Sequence, residues 1–169
     1  MKLEVARPIG QMLIAVAVFL ILVPLVNIGF QVMPFRPGNQ SWRFGAWGFL
    51  LGAMTLPTLG TGLLGLGGVL RDSISVVRIT LVVSSLFLFV VVVGLADFLI
   101  EGSALRAMAT DPKMRTIAMV EIQRTAVISS VAIPALAAIA FGCYKLVKGM
   151  KAEIASREGS GPLVRAGSR

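Results

Sequence analysis

The chain has 169 residues, of which 56% are hydrophobic and only 14% are charged, and its mean hydropathy is +0.88. Soluble domains carry about a quarter charged residues, and a core of this size could not bury so much apolar surface, so lipid must be part of the solvent. The net charge is +8. The basic residues stand at the ends of apolar runs, as topology signals and headgroup contacts do, and this placement argues against a nucleic-acid partner.

Four stretches of the chain are long and apolar enough to cross a bilayer as helices. A spanning helix needs about 20 apolar residues, and the runs are continuous, without the alternation of barrel strands. The first run follows Lys2 and Arg7 and is longer than the apolar part of a signal peptide, so we interpret it as a retained span. The predicted spans cover about residues 9–33, 44–70, 77–100 and 112–148.

The second predicted span carries small residues close to one helical face, including the GxxxG motif from Gly48 to Gly52. Helices in lipid associate through close backbone approach, which small residues permit. We therefore predict that this stripe is a helix-packing interface with another span or with a partner chain. General glycine enrichment in membrane helices is the alternative. The stripe comprises Gly45, Gly48, Gly52, Thr55, Gly62 and Gly65.

The segments around the third span predict how the helices are connected. The short connection of residues 71–78 makes spans 2 and 3 antiparallel neighbours. Gly102 is typical of a helix C-terminus, and Asp111 followed by Pro112 is typical of a helix start. A helix running unbroken from Pro112 through the fourth span would be about 55 Å long, so its first turns would project from the membrane on the outer side.

Charged residues near the outer ends of spans 3 and 4 form a candidate polar cluster of Asp97, Glu101, Glu121 and Arg124. Asp97 and Glu101 are four positions apart and share a helix face, and Glu121 and Arg124 can pair along the outer helix. A cation or proton site would use such residues. We favour a solvated helix end, because neither carboxylate of span 3 is near mid-bilayer.

The distribution of Lys and Arg predicts the orientation. Most of them lie on the side that holds both termini, so both termini are predicted to be cytoplasmic, in the inner membrane of a bacterium. We assign residues 1–150 to the four-helix domain. Residues 151–169 are expected to form a flexible basic tail, since this stretch is polar and contains Gly, Ser and Pro. The basic side would contact anionic lipid headgroups.

The residue inventory excludes several chemistries. There is no histidine and only one cysteine, Cys143. Haem or bacteriochlorophyll cannot be ligated by histidine, and neither a Ser–His or Cys–His pair nor an iron–sulfur or dithiol centre can be built. We therefore assign no catalytic, metal-binding or cofactor-binding residue. Contacts with a lipid or pigment through packing alone stay open.

The sequence thus predicts an all-α integral membrane protein with four transmembrane helices and a fourth span extended as a helix on the outer side. The functional prediction is a non-catalytic accessory or structural subunit, or an assembly factor, of a larger membrane complex such as a respiratory or photosynthetic one. Its partners would be other membrane subunits and lipids. A small oligomeric transporter or channel is the alternative, and an enzyme acting on lipid fits less well.

Overall fold

The computed structural model describes residues 2–108 and 110–159, and every regular element in that part of the chain is an α-helix. The helices are α1 (Lys2–Gln31), α2 (Gln40–Ala53), α3 (Thr55–Leu70), α4 (Ile74–Met108) and α5 (Pro112–Gly159). Four segments are long and apolar enough to cross a membrane, with α2 and α3 together forming the second. The prediction of an all-helical chain with four candidate spans is confirmed.

The second predicted span is divided into two helices at Met54. The sequence predicts a single span with a bend at Pro57, and the break lies three residues before that proline. Proline has no backbone N–H, so Pro57 cannot donate to the carbonyl of Ala53, four positions earlier. The backbone tightens there, and the N–H of Met54 donates to the carbonyl of Leu51 at 3.3 Å. The helical ladder resumes when Thr58 donates to Met54 at 3.0 Å.

Helices α1 and α3 approach each other closely through small residues. A Cβ added at Gly67 would lie 2.9 Å from the carbonyl oxygen of Gly10, and one added at Gly60 would lie 3.0 Å from that of Ala17. The two pairs are seven positions apart on both helices, which run antiparallel, so they lie in register along one seam. Close backbone contact therefore holds α1 against α3.

A tight turn makes α3 and α4 antiparallel neighbours, as predicted. Asp72 has φ 54°, a left-handed conformation that aspartate tolerates better than most residues. The N–H groups of Arg71, Asp72 and Ser73 donate to the last carbonyls of α3, at 3.0–3.1 Å. These hydrogen bonds satisfy carbonyl groups at the C-terminus of α3, so the turn needs no further residues before α4 begins.

Helix α4 continues past Gly102 to Met108, so the predicted helix end at Gly102 is wrong. The glycine is required there by packing: a Cβ at this position would lie 2.8 Å from side-chain atoms of both Phe44 and Ile122. The predicted start of the next helix is confirmed. Helix α5 begins at Pro112, and the carboxylate of Asp111 accepts a hydrogen bond from the N–H of Lys113 at 2.9 Å.

Helices α4 and α5 extend well beyond the thickness of a bilayer core. Arg78 and Asp97 are about 28 Å apart along α4, and Arg124 and Lys145 are about 32 Å apart along α5. Both lengths match the hydrocarbon core of a bilayer, roughly 30 Å. Residues 98–108 and 112–123 lie past this interval on the side away from the termini, and we call them the hairpin extension.

At its other end, α5 runs past the predicted domain boundary at Met150 to Gly159. Residues 151–158 are mostly good helix formers, which accounts for the continuation of α5. The helix ends at Gly159, and glycine is common at helix C-termini. The rest of the expected flexible tail, residues 160–169, lies outside the described residues. The core of the bundle is formed by Leu51, Met54, Phe87, Val91, Phe98 and Leu136.

Candidate functional site

Two polar contacts join α2 to α4 at the base of the hairpin extension. The guanidinium of Arg43 contacts the carboxylate of Glu101, with Nη2 at 2.5 Å and Nε at 2.8 Å from Oε1. The indole Nε1 of Trp47 donates to Oδ2 of Asp97 at 2.6 Å. Both donors and both acceptors are four positions apart, so one face of α2 meets one face of the antiparallel α4 in register.

The sequence favours a solvated helix end for Glu101, and this prediction is wrong. Glu101 is only 8% exposed, and its neighbour Arg43 covers it with a side chain that is 40% exposed. The two carboxylates are among the residues predicted from the sequence, whereas their two donors on α2 are not. Arg43 and Trp47 are four positions apart, as Asp97 and Glu101 are, and this equal spacing could have indicated the pairing. Each of these two carboxylates accepts a hydrogen bond from a donor on α2. A cation or proton site, the alternative that the sequence left open, stays untested.

Aromatic packing stabilises the same contact between α2 and α4. The Trp47 ring lies directly on Gly94, where an added Cβ would come within 2.5 Å of its Cε3 atom. One turn away, Phe44 stacks on Phe98 with ring centroids 4.5 Å apart and planes inclined by 9°. Because the rings and the polar contacts act at one level, α2 is fixed against α4 while its opposite side stays uncovered.

That uncovered side of α2 faces α5 across a groove of about 440 Å³, which we call the α2–α5 groove. Added Cβ atoms at Gly45 and Gly52 would meet nothing within 4 Å, and one at Gly48 would just reach Phe98 at 3.4 Å. Glu121 and Arg124, the other two members of the predicted polar cluster, line its α5 side. The remaining lining residues are Phe44, Phe49, Ala53, Phe98, Thr125 and Ile128.

The predicted stripe of small residues therefore divides at the α2–α3 break. In α3, Gly62 lies toward Ile139 of α5 at 3.7 Å, and Gly65 contacts Thr80 at 3.3 Å and Cys143 at 3.6 Å, each measured from an added Cβ. Thr55, at the start of α3, is exposed. The α3 part of the stripe contacts helices of this chain, and the α2 part borders the groove. Contact with a partner chain stays a prediction.

Hydroxyl groups inside the bundle mostly bond to their own helices. Thr61 donates to the carbonyl of Thr58 at 2.8 Å, and Ser84 donates to that of Leu81 at 3.1 Å. Thr58 Oγ1 and Ser129 Oγ are buried without a hydrogen-bond partner. These groups do not connect into a polar chain along the bundle.

A second concavity, the hairpin cleft, lies between α4 and α5 in the hairpin extension and has a volume of about 690 Å³. Its apolar lining includes Leu99, Met119, Val120 and Ile122, and its polar lining comprises Ser103, Arg106, Arg115, Thr116 and Gln123. Among the described residues, no acidic side chain lines it. The cleft is not predictable from the sequence, because its two walls come from different helices and only their packing defines which sides face each other.

Within residues 2–108 and 110–159, no group of three or more His, Cys, Asp and Glu side chains could hold a metal ion. The geometry offers instead two concave surfaces, one at the level of the apolar spans and one beyond it. No protein-family model matches the chain, and no curated protein or solved structure matches it either.

Proposed function

We propose that the chain is a non-catalytic accessory or structural subunit of a larger multi-subunit membrane complex, for example a respiratory or photosynthetic one. The observation that carries this proposal is the α2–α5 groove, where a Cβ added at Gly45 or Gly52 would meet nothing within 4 Å. A furrow of this kind admits a neighbouring helix.

The groove runs from the base of the hairpin extension, at Phe98 and Glu121, into the part of the bundle that would be embedded in lipid. Gly52 is about 13 Å along the chain from Arg43 toward the membrane centre, allowing 1.5 Å per residue. Lipid tails fill a narrow furrow poorly, while a helix entering it gains dispersion contacts along its length. A partner helix is therefore the occupant that best fits this groove.

The hairpin extension supports the same proposal. Ile100, Met108 and Ile117 are 66%, 61% and 58% exposed, and all three lie beyond the interval that matches a bilayer core. In the proposed membrane placement these apolar side chains lie outside the hydrocarbon core, where lipid tails do not cover them. A partner subunit that covers them would explain why both helices continue so far.

We propose that the protein is inserted in a bacterial inner membrane with both termini in the cytoplasm. The excess of Lys and Arg on the terminal side supports this orientation. The hairpin extension then faces the periplasm, and the partner surface belongs to the outer half of the membrane and the space just above it.

A small oligomeric transporter or channel is the second candidate. The buried hydroxyls of Thr58 and Ser129, which have no hydrogen-bond partner, are the observation in its favour. A permeation path would need further polar groups in line with them. The described hydroxyls of Thr61 and Ser84 are bonded within their own helices instead, which favours the first proposal.

Photocrosslinking in intact membranes tests the proposal. A photoreactive amino acid at Gly45 or Gly52 should form a discrete crosslink to another polypeptide. The control position is Phe89 on α4, which is 66% exposed and lies away from the groove, and it should crosslink to lipid. Lipid adducts alone at all three positions would contradict a subunit role, and crosslinks to a second copy of this chain would favour the oligomeric alternative.

A further inference from the structure

We infer that the helix which fills the α2–α5 groove carries a hydroxyl or amide side chain that hydrogen-bonds to Thr125. Near its outer end, the same helix carries a basic residue that pairs with Glu121 and an acidic residue that pairs with Arg124. This inference rests on the subunit role proposed above and adds the chemistry of the partner span that the groove selects.

The hydroxyl of Thr125 is an unpartnered polar group in the wall of the groove. The residue is 2% exposed, and the part that remains accessible opens into the groove. Thr80 and Thr116 donate to the carbonyl four positions earlier in their own helices, at 2.9 and 3.0 Å. Thr125 forms no such bond, and its hydroxyl has no hydrogen bond with any of the described residues. It is therefore available to a group that enters the groove.

Thr125 lies near the middle of the α5 wall of the groove. This wall runs from Glu121, in the hairpin extension, to Ile128, and Thr125 is about 6 Å along the helix from Glu121. Water can reach the hydroxyl from the outer end as long as no helix fills the groove. A partner helix excludes this water, so an aliphatic side chain opposite Thr125 would leave the hydroxyl unpaired. A hydroxyl or an amide replaces the lost hydrogen bond and is favoured there.

Glu121 and Arg124 select for charge at the outer end of the groove. Both line its α5 side, and among the described residues neither forms an ion pair or a side-chain hydrogen bond, so the pairing along α5 that the sequence allows is absent. Arg124 lies at the edge of the interval that matches the hydrocarbon core, and Glu121 lies about 4.5 Å further out. A partner helix that covers them removes water from both charges, which is costly unless each charge is paired. The partner is therefore expected to offer a basic side chain to Glu121 and an acidic one to Arg124.

The inner end of the groove selects for the opposite property. Its lining there, Gly52, Ala53 and Ile128, has no polar side-chain atom, and a Cβ added at Gly52 would meet nothing within 4 Å. A partner helix gains dispersion contacts by placing apolar side chains against this part of the groove. From the outer end inwards, the face of the partner span should therefore be charged, then hydrogen-bonding, then apolar.

The test measures the apparent dissociation constant of the larger assembly when the purified complex is diluted in mild detergent. Thr125→Val keeps the shape of the side chain and removes the hydroxyl. It should raise this constant about threefold to tenfold, the range expected for one interhelical hydrogen bond. Thr125→Ser keeps the hydroxyl and should raise the constant less. The free chain with Thr125→Val should unfold at the wild-type temperature, because the hydroxyl has no hydrogen bond within the described residues.

Ser130→Ala is the matched control, because it removes a hydroxyl of α5 that donates to the carbonyl of Val127 at 2.7 Å and lies outside the groove. It should leave the dissociation constant unchanged. At the charged end, Glu121→Lys should raise the constant more than Glu121→Gln, and Arg124→Glu more than Arg124→Gln, because each reversal places like charges together.

Equal dissociation constants for wild type, Thr125→Val and both charge reversals would overturn the inference. If Gly52→Leu still separates the assembly in that case, the subunit role stands and only the chemistry of the partner is wrong. An equal increase in Thr125→Val and Thr125→Ser would also overturn the inference, because the effect would not follow the hydroxyl. Wild type migrating alone, or lipid adducts alone from photoreactive residues at Gly45 and Gly52, would contradict both the inference and the subunit role.

Discussion

Arg43 of α2 and Glu101 of α4, 58 positions apart in the sequence, form an ion pair that closes the bundle at the base of the hairpin extension. Glu101→Gln should lower the free energy of unfolding by about 1–3 kcal/mol, because a charge-assisted hydrogen bond is lost at a site with little water. Arg43→Leu should cost more, since it leaves a buried carboxylate without a counter-charge. Thermal unfolding in detergent measures both.

The double variant Arg43→Leu/Glu101→Gln is the control for this pair. If the two residues stabilise the fold by contacting each other, its loss should be smaller than the sum of the two single losses. Strictly additive losses would show that the pair contributes no coupling energy.

Gly94→Ala tests the packing of the Trp47 ring. An added Cβ would come within 2.5 Å of Cε3 of that ring, so the indole must move and its hydrogen bond to Asp97 must weaken. The expected loss is about 1–3 kcal/mol by overpacking. Gly142→Ala is the matched control, because a Cβ there meets nothing within 4 Å. Equal stability of the two variants would contradict this packing.

The seam between α1 and α3 gives a third prediction. Gly60→Ala and Gly67→Ala would each place a Cβ within 3.0 Å of a backbone oxygen of α1, at Ala17 and Gly10. Backbone cannot move aside as a flexible side chain can, so each variant should lose about 1–3 kcal/mol in thermal unfolding. Gly29→Ala, with nothing within 4 Å, should be as stable as wild type. If Gly29→Ala is destabilised while Gly60→Ala and Gly67→Ala are as stable as wild type, the close contact between α1 and α3 is contradicted.

Reporter fusions test the proposed orientation. An enzyme active only in the periplasm should be silent when fused after Arg169 and active when inserted after Thr110, in the connection between α4 and α5. The reason is the larger share of Lys and Arg on the side of the termini. Activity after Arg169 and silence after Thr110 would contradict the proposed orientation and place both termini in the periplasm.

The sequence predicted the four apolar helices because each run meets or approaches the length that a bilayer requires. It predicted the start at Pro112 because that signal is local. The predicted helix end at Gly102 was wrong because the role of this glycine is not local. Its role is set by Phe44 and Ile122, which belong to other helices, and a local pattern cannot distinguish a glycine that ends a helix from one that admits a neighbour.

The candidate sites were less predictable. The acidic positions Asp97 and Glu101 could be found from their spacing, but their donors lie 50 and 58 residues earlier in the chain. The small-residue stripe was visible as a pattern. Its division between α3, which contacts this chain's own helices, and α2, which borders the groove, depends on the break at Met54. Pro57 gives only the approximate position of this break.

The most direct test of the proposed subunit role is the size of the assembly that carries Gly52→Leu, extracted from native membranes in mild detergent. A Cβ added at Gly52 would meet nothing within 4 Å, whereas one added at Gly60 would meet α1. We expect that wild type migrates in a larger assembly, that Gly52→Leu migrates as a free chain with unchanged thermal stability, and that Gly60→Leu is itself destabilised. Gly52→Leu remaining in an assembly of wild-type size, or wild type migrating alone, would contradict it.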